Sequence, residues 1–152
     1  MKRIIGIDPG RTTGFVDLLE DDDGALHVLE AMEVLWDERF RLRELIEGMP
    51  IQVDERNQDE PLYLSPHAIV IEAFNLRAAD AHHQVGSDFP SVRIIGIVEA
   101  FANDLGVLGR IVYQPASLKE FVKLKNKLPA SDHIEDAYRH ARYFAVRERN
   151  KR

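Results

Sequence analysis

The sequence predicts an α/β fold, a five-stranded mixed sheet with helices on both faces. Three observations predict it. Short β-rich apolar runs, joined by tight turns rich in Gly, Pro and Asp, fill the first 35 residues and read as an antiparallel meander. Helical and strand patterns then alternate, which favours parallel strands joined by crossovers. The 152 residues, 45% of them apolar, suit one domain with a genuine core.

The elements follow in order. Residues 3–8 and 13–19 read as two strands, and residues 26–35 as a third after the turn at 20–24. Residues 37–48 read as a helix capped by Asp37, with Phe40, Leu42, Leu45 and Ile46 on its apolar side and Gly48 and Pro50 ending it. Residues 52–66 are acidic and polar and read as a surface loop or insertion. HAIVIE (67–72) reads as a strand buried on both faces, and residues 73–87 as mostly loop, with the exposed polar pair His82-His83. Residues 88–105 read as a long helix with Asp88 as cap and Pro90 in its first turn. Its apolar residues spread widely round the circumference, so one side suits the sheet and another a partner subunit. RIVYQ (110–114) reads as the last strand. A basic stretch from Pro115 to Pro129 follows. The final helix begins at Ser131 or Asp132, with Asp132 and Glu135 fitting a capping box, and leads into a basic tail at 147–152.

Composition narrows the chemistry. Without cysteine there is no disulfide, thiolate zinc site or cysteine nucleophile. No apolar run approaches the roughly 20 residues of a membrane span, and Asp8 breaks the N-terminal apolar run too early for a signal peptide. The expected compartment is the cytoplasm. The net charge of −6 is uneven: residues 1–109 carry −12 and residues 110–152 carry +6. The basic part suits phosphates while the acidic part faces solvent.

Three acids stand at telling places. Asp8 ends the first strand and Glu72 the fourth, while Asp136 lies early in the last helix. His133, three residues before Asp136, shares its helix face, and His140 lies on roughly the same side. If the first and fourth strands pair, Asp8 and Glu72 are neighbours. Carboxylates packed together repel unless a cation neutralises them, and oxygen-rich sites select Mg²⁺ or Mn²⁺. Two such ions about 4 Å apart activate a water and stabilise the leaving oxygen in phosphodiester hydrolysis. Each acid also has a plainer reading: Asp8 as a turn residue, Glu72 as an exposed strand end, Asp136 as an acid favoured by the helix dipole.

Read together, IIGIDPGRTTGF (4–15), IVIEAF (69–74) and HIEDAYRHARYF (133–144) make the chain resemble the RuvC-type Holliday junction resolvases of the RNase H-like superfamily. The segment IIGIVEAFANDLG (94–106) falls where that family has its dimer helix. The PASLKEF segment and the DAYRHA ending look most like phage-encoded members, which implies the cytoplasm of an infected bacterium. The resemblance implies an RNase H-like fold, a homodimer through residues 88–105, and cleavage of branched DNA with two Mg²⁺ ions per site, Mn²⁺ being a substitute. It assigns metal-binding catalytic roles to Asp8, Glu72 and Asp136, with His133 at the fourth position, where relatives carry aspartate or histidine. A histidine there binds metal or helps position and protonate the leaving group.

The family's junction-stacking aromatic, three residues after the glutamate, is replaced here by Asn75, with Phe74 one residue earlier, which either substitutes for it or faces the core. The family's glycine- and basic-rich segment is replaced by Lys119, Lys123, Lys125 and Lys127. Phe74, Asn75, Arg77 and these four lysines are the expected DNA contacts. The alternatives are a flap- or fork-processing nuclease of the same fold, or a protein that binds branched DNA without cutting. A phosphotransferase of the actin and sugar-kinase type has a similar Asp-x-Gly-Thr-Thr loop, but needs two such domains around a nucleotide. One motif in 152 residues is too little.

Overall fold

Two apolar runs with the same need build the centre of the sheet. IIGID and AIVIE are β-branched and apolar on both faces, so each needs a covered strand position. The computed structural model describes residues 1–48, 64–74, 89–120, 122 and 131–151. In it the five strands are β1 (Lys2–Asp8), β2 (Thr12–Glu20), β3 (Leu26–Leu35), β4 (Ala68–Ala73) and β5 (Ile111–Pro115). Their order in the sheet is β3-β2-β1-β4-β5, which puts β1 at the centre. The β1–β2 and β2–β3 pairs are antiparallel, as expected of a meander, and β1–β4 and β4–β5 are parallel.

The helices are α1 (Arg41–Glu47), α2 (Pro90–Asp104) and α3 (Asp132–Arg149). Strand alternation sorts the side chains between them. Ile5, Ile7, Phe15, Ile69 and Ile71 face one core with Leu42 and Ile46 of α1 and Ile94 and Val98 of α2. Ile4, Val16, Leu18, Ala68 and Val70 face the other, under Ala137, Ala141 and Ala145 of α3. Both faces of the sheet are therefore covered.

The approach of α3 to the sheet is unusually close, and two glycines permit it. A Cβ on Gly6 of β1 would run into the carbonyl oxygen of Ala137, and one on Gly14 of β2 into that of His133. With alanines at one-turn spacing on the facing side, the helix backbone lies directly on β1 and β2.

Arg3 ties α1 to the meander. It is 2% exposed, and its Nε–H donates to both carboxylate oxygens of Asp17 at 2.8 and 3.1 Å. Its Nη groups donate to the carbonyls of Leu45, Ile46 and Glu47 at the end of α1, and to that of Leu64. Helix-end carbonyls lack partners within the helix, and a guanidinium supplies them.

The aspartates expected at the helix starts do not cap them, and of the two starts open for the last helix Ser131 takes the cap. A 3₁₀ turn at Trp36–Glu38 precedes α1, whose cap residue is Phe40, so Asp37 does not cap it. Phe89 caps α2 with Pro90 following, in place of Asp88, which lies outside the described residues. Ser131 caps α3, its hydroxyl accepting from the Ile134 N–H at 3.4 Å, so Asp132 and Glu135 form no capping box. Glu135 is instead 4% exposed and faces Arg139 at 3.6 Å. On α2, Ile95, Phe101 and Leu105 pack against the same core as Ile94 and Val98. The exposed positions of α2 are Val92, Arg93, Gly96, Ala100, Asn103 and Asp104, and Ile97 is half-buried outside that core.

Candidate active site

Three strand ends make the floor of the site. The parallel register pairs Ile7 with Ile71, which brings Asp8 and Glu72 to neighbouring positions. The next register pairs Glu72 with Gln114. Alternation turns Asp8, Glu72 and Gln114 to the same face as Ile4, Gly6, Ala68 and Val70, the α3 side. β1, β4 and β5 thus all present a polar residue under α3 at or near their carboxyl ends, where open α/β sheets bind ligands.

α3 runs antiparallel to β1, so its first turns lie over that floor. His133 Nδ1 is 3.0 Å from Asp8 Oδ2, and its side chain is 49% exposed against 12% for Asp8. His140, two turns on, is fully buried. Its Nε2 lies 3.1 Å from Glu72 Oε2, and its Nδ1 lies 2.9 Å from Gln114 Oε1. Asp136 accepts from Arg139 Nη1 at 3.3 Å. Asp8 and Glu72 are therefore neither idle turn residues nor loose strand ends, since each is engaged by an imidazole of α3.

The donor chemistry suits a hard divalent cation: two carboxylates on adjacent strand ends, and a third beside a histidine on the helix above. Among the described residues, the side chains as they stand bring no three such groups together around one ion position. The carboxylates are held by His133, His140 and Arg139 instead.

Beside this floor is a cleft of about 310 Å³ lined by Pro9, Glu72, Phe74, Ser91, Pro115 and Ser117, among others. Phe74 does not turn into the core. It is 38% exposed, and its ring is tilted against Phe89 at 5.2 Å between centroids. Lys119 falls in the 3₁₀ turn Ala116–Glu120 that follows β5. Asn75, Arg77, His82, His83, Lys123, Lys125 and Lys127 lie outside the described residues, as does most of the acidic stretch at 52–66. The basic tail is partly committed to the protein itself: Arg149 donates to Glu20 and to the Gly24 carbonyl, and Lys151 to Glu148.

Sequence reasoning placed His140 on the right side of α3 but gave it no partner, and it missed Gln114 and Arg139. A signal for Gln114 was present. RIVYQ ends in a polar residue after a β-rich run, just as IIGID and AIVIE do.

No protein-family model matches the sequence, and no curated protein matches it. Solved structures do. The structure of T. thermophilus RuvC in complex with a Holliday junction substrate matches with a TM-score of 0.63 and 17% identity, over 99% of this chain and 97% of that one. A second Thermus thermophilus RuvC structure matches with a TM-score of 0.61 and 19% identity, over 98% of this chain and 96% of that one. The chain has the RNase H-like fold, in the form that these RuvC structures take.

Proposed function

We propose that this protein is a structure-selective endodeoxyribonuclease that cuts four-way or other branched DNA. One observation carries the reading. Asp8 and Glu72 stand side by side at the carboxyl edge of the sheet, beneath the helix turns bearing His133 and Asp136. That constellation sits in a fold shared over nearly the whole chain with a RuvC solved on a Holliday junction.

In this reading Asp8, Glu72 and Asp136, with His133, hold Mg²⁺ ions, and Mn²⁺ substitutes. Bound there, the ions supply neutralisation of the carboxylates, activation of a water and stabilisation of a leaving oxygen. The protein's own groups do the rest. His133, exposed beside Asp8, positions the leaving oxygen or returns a proton to it. Phe74 offers a ring face to an unstacked base at the cleft. Lys119, Lys123, Lys125 and Lys127, with Arg77 and Asn75, contact the DNA, the basic groups meeting phosphates that set affinity more than sequence. A homodimer through α2 would present two such sites to two strands of matching polarity.

A flap- or fork-processing nuclease is the second reading, favoured by Asn75 at the position where relatives stack an aromatic. Cleavage of labelled four-way, Y-shaped and linear DNA side by side separates them. A junction resolvase cuts the four-way substrate far faster, a fork nuclease prefers the Y shape, and equal cutting of all three rejects structure selectivity.

A further inference from the structure

The geometry points to His140 as a positioning residue that orients Glu72 from inside the protein, with Gln114 as its anchor. The inference rests on the reading of Glu72 as a cation ligand. His140 is fully buried, on a helix whose sheet-facing side otherwise carries Ala137, Ala141 and Ala145, with Ile134 and Phe144 beside them. A histidine there must have its polar atoms bonded, because a buried polar group left without a partner is destabilising. Both ring nitrogens are met: Nε2 by Glu72 at 3.1 Å, and Nδ1 by Gln114, itself 6% exposed, at 2.9 Å. Since Glu72 and Gln114 are register partners on β4 and β5, the ring spans two adjacent strand ends.

The consequence falls on Glu72. A glutamate near the end of a strand has three rotatable bonds, and this one also lines the cleft. Holding one of its oxygens inward by a buried ring fixes the carboxylate plane and directs the other oxygen. Asp8 is engaged differently, by an exposed histidine. Hydrogen-bond partners of metal ligands contribute about 10–100-fold to metal affinity or activity.

The test is Mn²⁺ titration calorimetry on the full chain, with thermal unfolding followed in parallel. His140→Leu is expected to weaken Mn²⁺ binding about 10–100-fold. His140→Gln, whose amide N–H reaches the place of Nε2, should recover most of that loss. Unchanged Mn²⁺ affinity in folded His140→Leu overturns the inference. So does a His140→Gln loss as large as that of His140→Leu, because the ring would then only fill space. If His140→Leu does not fold, Gln114→Leu carries the test: weaker Mn²⁺ binding supports the inference and unchanged binding overturns it. Glu72→Gln separates the two levels. If it leaves Mn²⁺ affinity intact, the reading of Glu72 fails and the inference with it. If it abolishes binding while His140→Leu changes nothing, only the positioning role fails.

Discussion

His133 and Asp8 form the part of the site in which a role in chemistry and a role in stability separate most cleanly. His133 is about half exposed and packs into neither core. Its replacement by alanine should leave the unfolding midpoint within a degree or two, since surface changes usually stay within about 0.5 kcal/mol. Single-turnover cleavage of a four-way junction should nevertheless fall roughly a hundredfold or more, the range of a lost acid or base. A matching loss of stability and activity would make His133 structural. Asp8, Glu72 and Asp136 could be singled out in the sequence because each is an acid where a packing residue is expected. His140 and Gln114 could not be paired that way. Their contact depends on β4 and β5 being neighbours and on α3 packing over β4, and no local pattern states either fact.

The elements themselves were legible to within a residue or two wherever hydrophobic periodicity set them, as in β1, β2, β3 and α3. Their caps were not. Arg39 lies over both the Trp36 and Phe40 rings, 4.7 and 4.6 Å from their centroids, beside the 3₁₀ turn that delays α1 past Asp37. The nearness of α3 to the sheet was also unforeseen, though Gly6 and Gly14 are visible in the motif. Gly6→Ala tests it: the new methyl meets helix backbone rather than a side chain that can turn away. The expected cost is about 1–3 kcal/mol, a fall of roughly 3–10 °C in Tm at this size, read by differential scanning calorimetry. An unchanged Tm would mean that α3 stands further off.

The clip between Arg3 and Asp17 predicts a pH dependence. Burial pushes the Asp17 carboxyl up to about 6; Arg3 pulls it down by less, and Glu30 adds a small upward push. The folded state thus holds a proton on Asp17 more tightly than the unfolded chain does. The resulting stabilisation is fully present below about pH 4 and is lost as the pH rises through about 6. Denaturant titrations between pH 4 and 7.5 should show this as a difference in slope between the parent and Asp17→Asn. Parallel pH profiles would contradict it.

For the whole molecule, the fold class and the acid-bearing edge of the sheet follow from a few motifs, whereas the proposed DNA surface rests only on charge. The +6 of residues 110–152 includes four lysines between β5 and α3. If all four meet phosphates, replacing them with alanine should reduce the slope of log affinity against log salt by about 3–4. Fluorescence anisotropy with a labelled junction across a KCl series measures it, and an unchanged slope would place DNA elsewhere. The central claim, that the strand-end acids run a cation-dependent nuclease, is tested most directly by Asp8→Asn. The purified parent and variant would be incubated with a labelled synthetic four-way junction and Mg²⁺. The parent should cut the junction in matching strands, and the folded variant should lose at least about a hundredfold of that activity. Undiminished cleavage by Asp8→Asn, or none by the parent with Mg²⁺ or Mn²⁺, would contradict it.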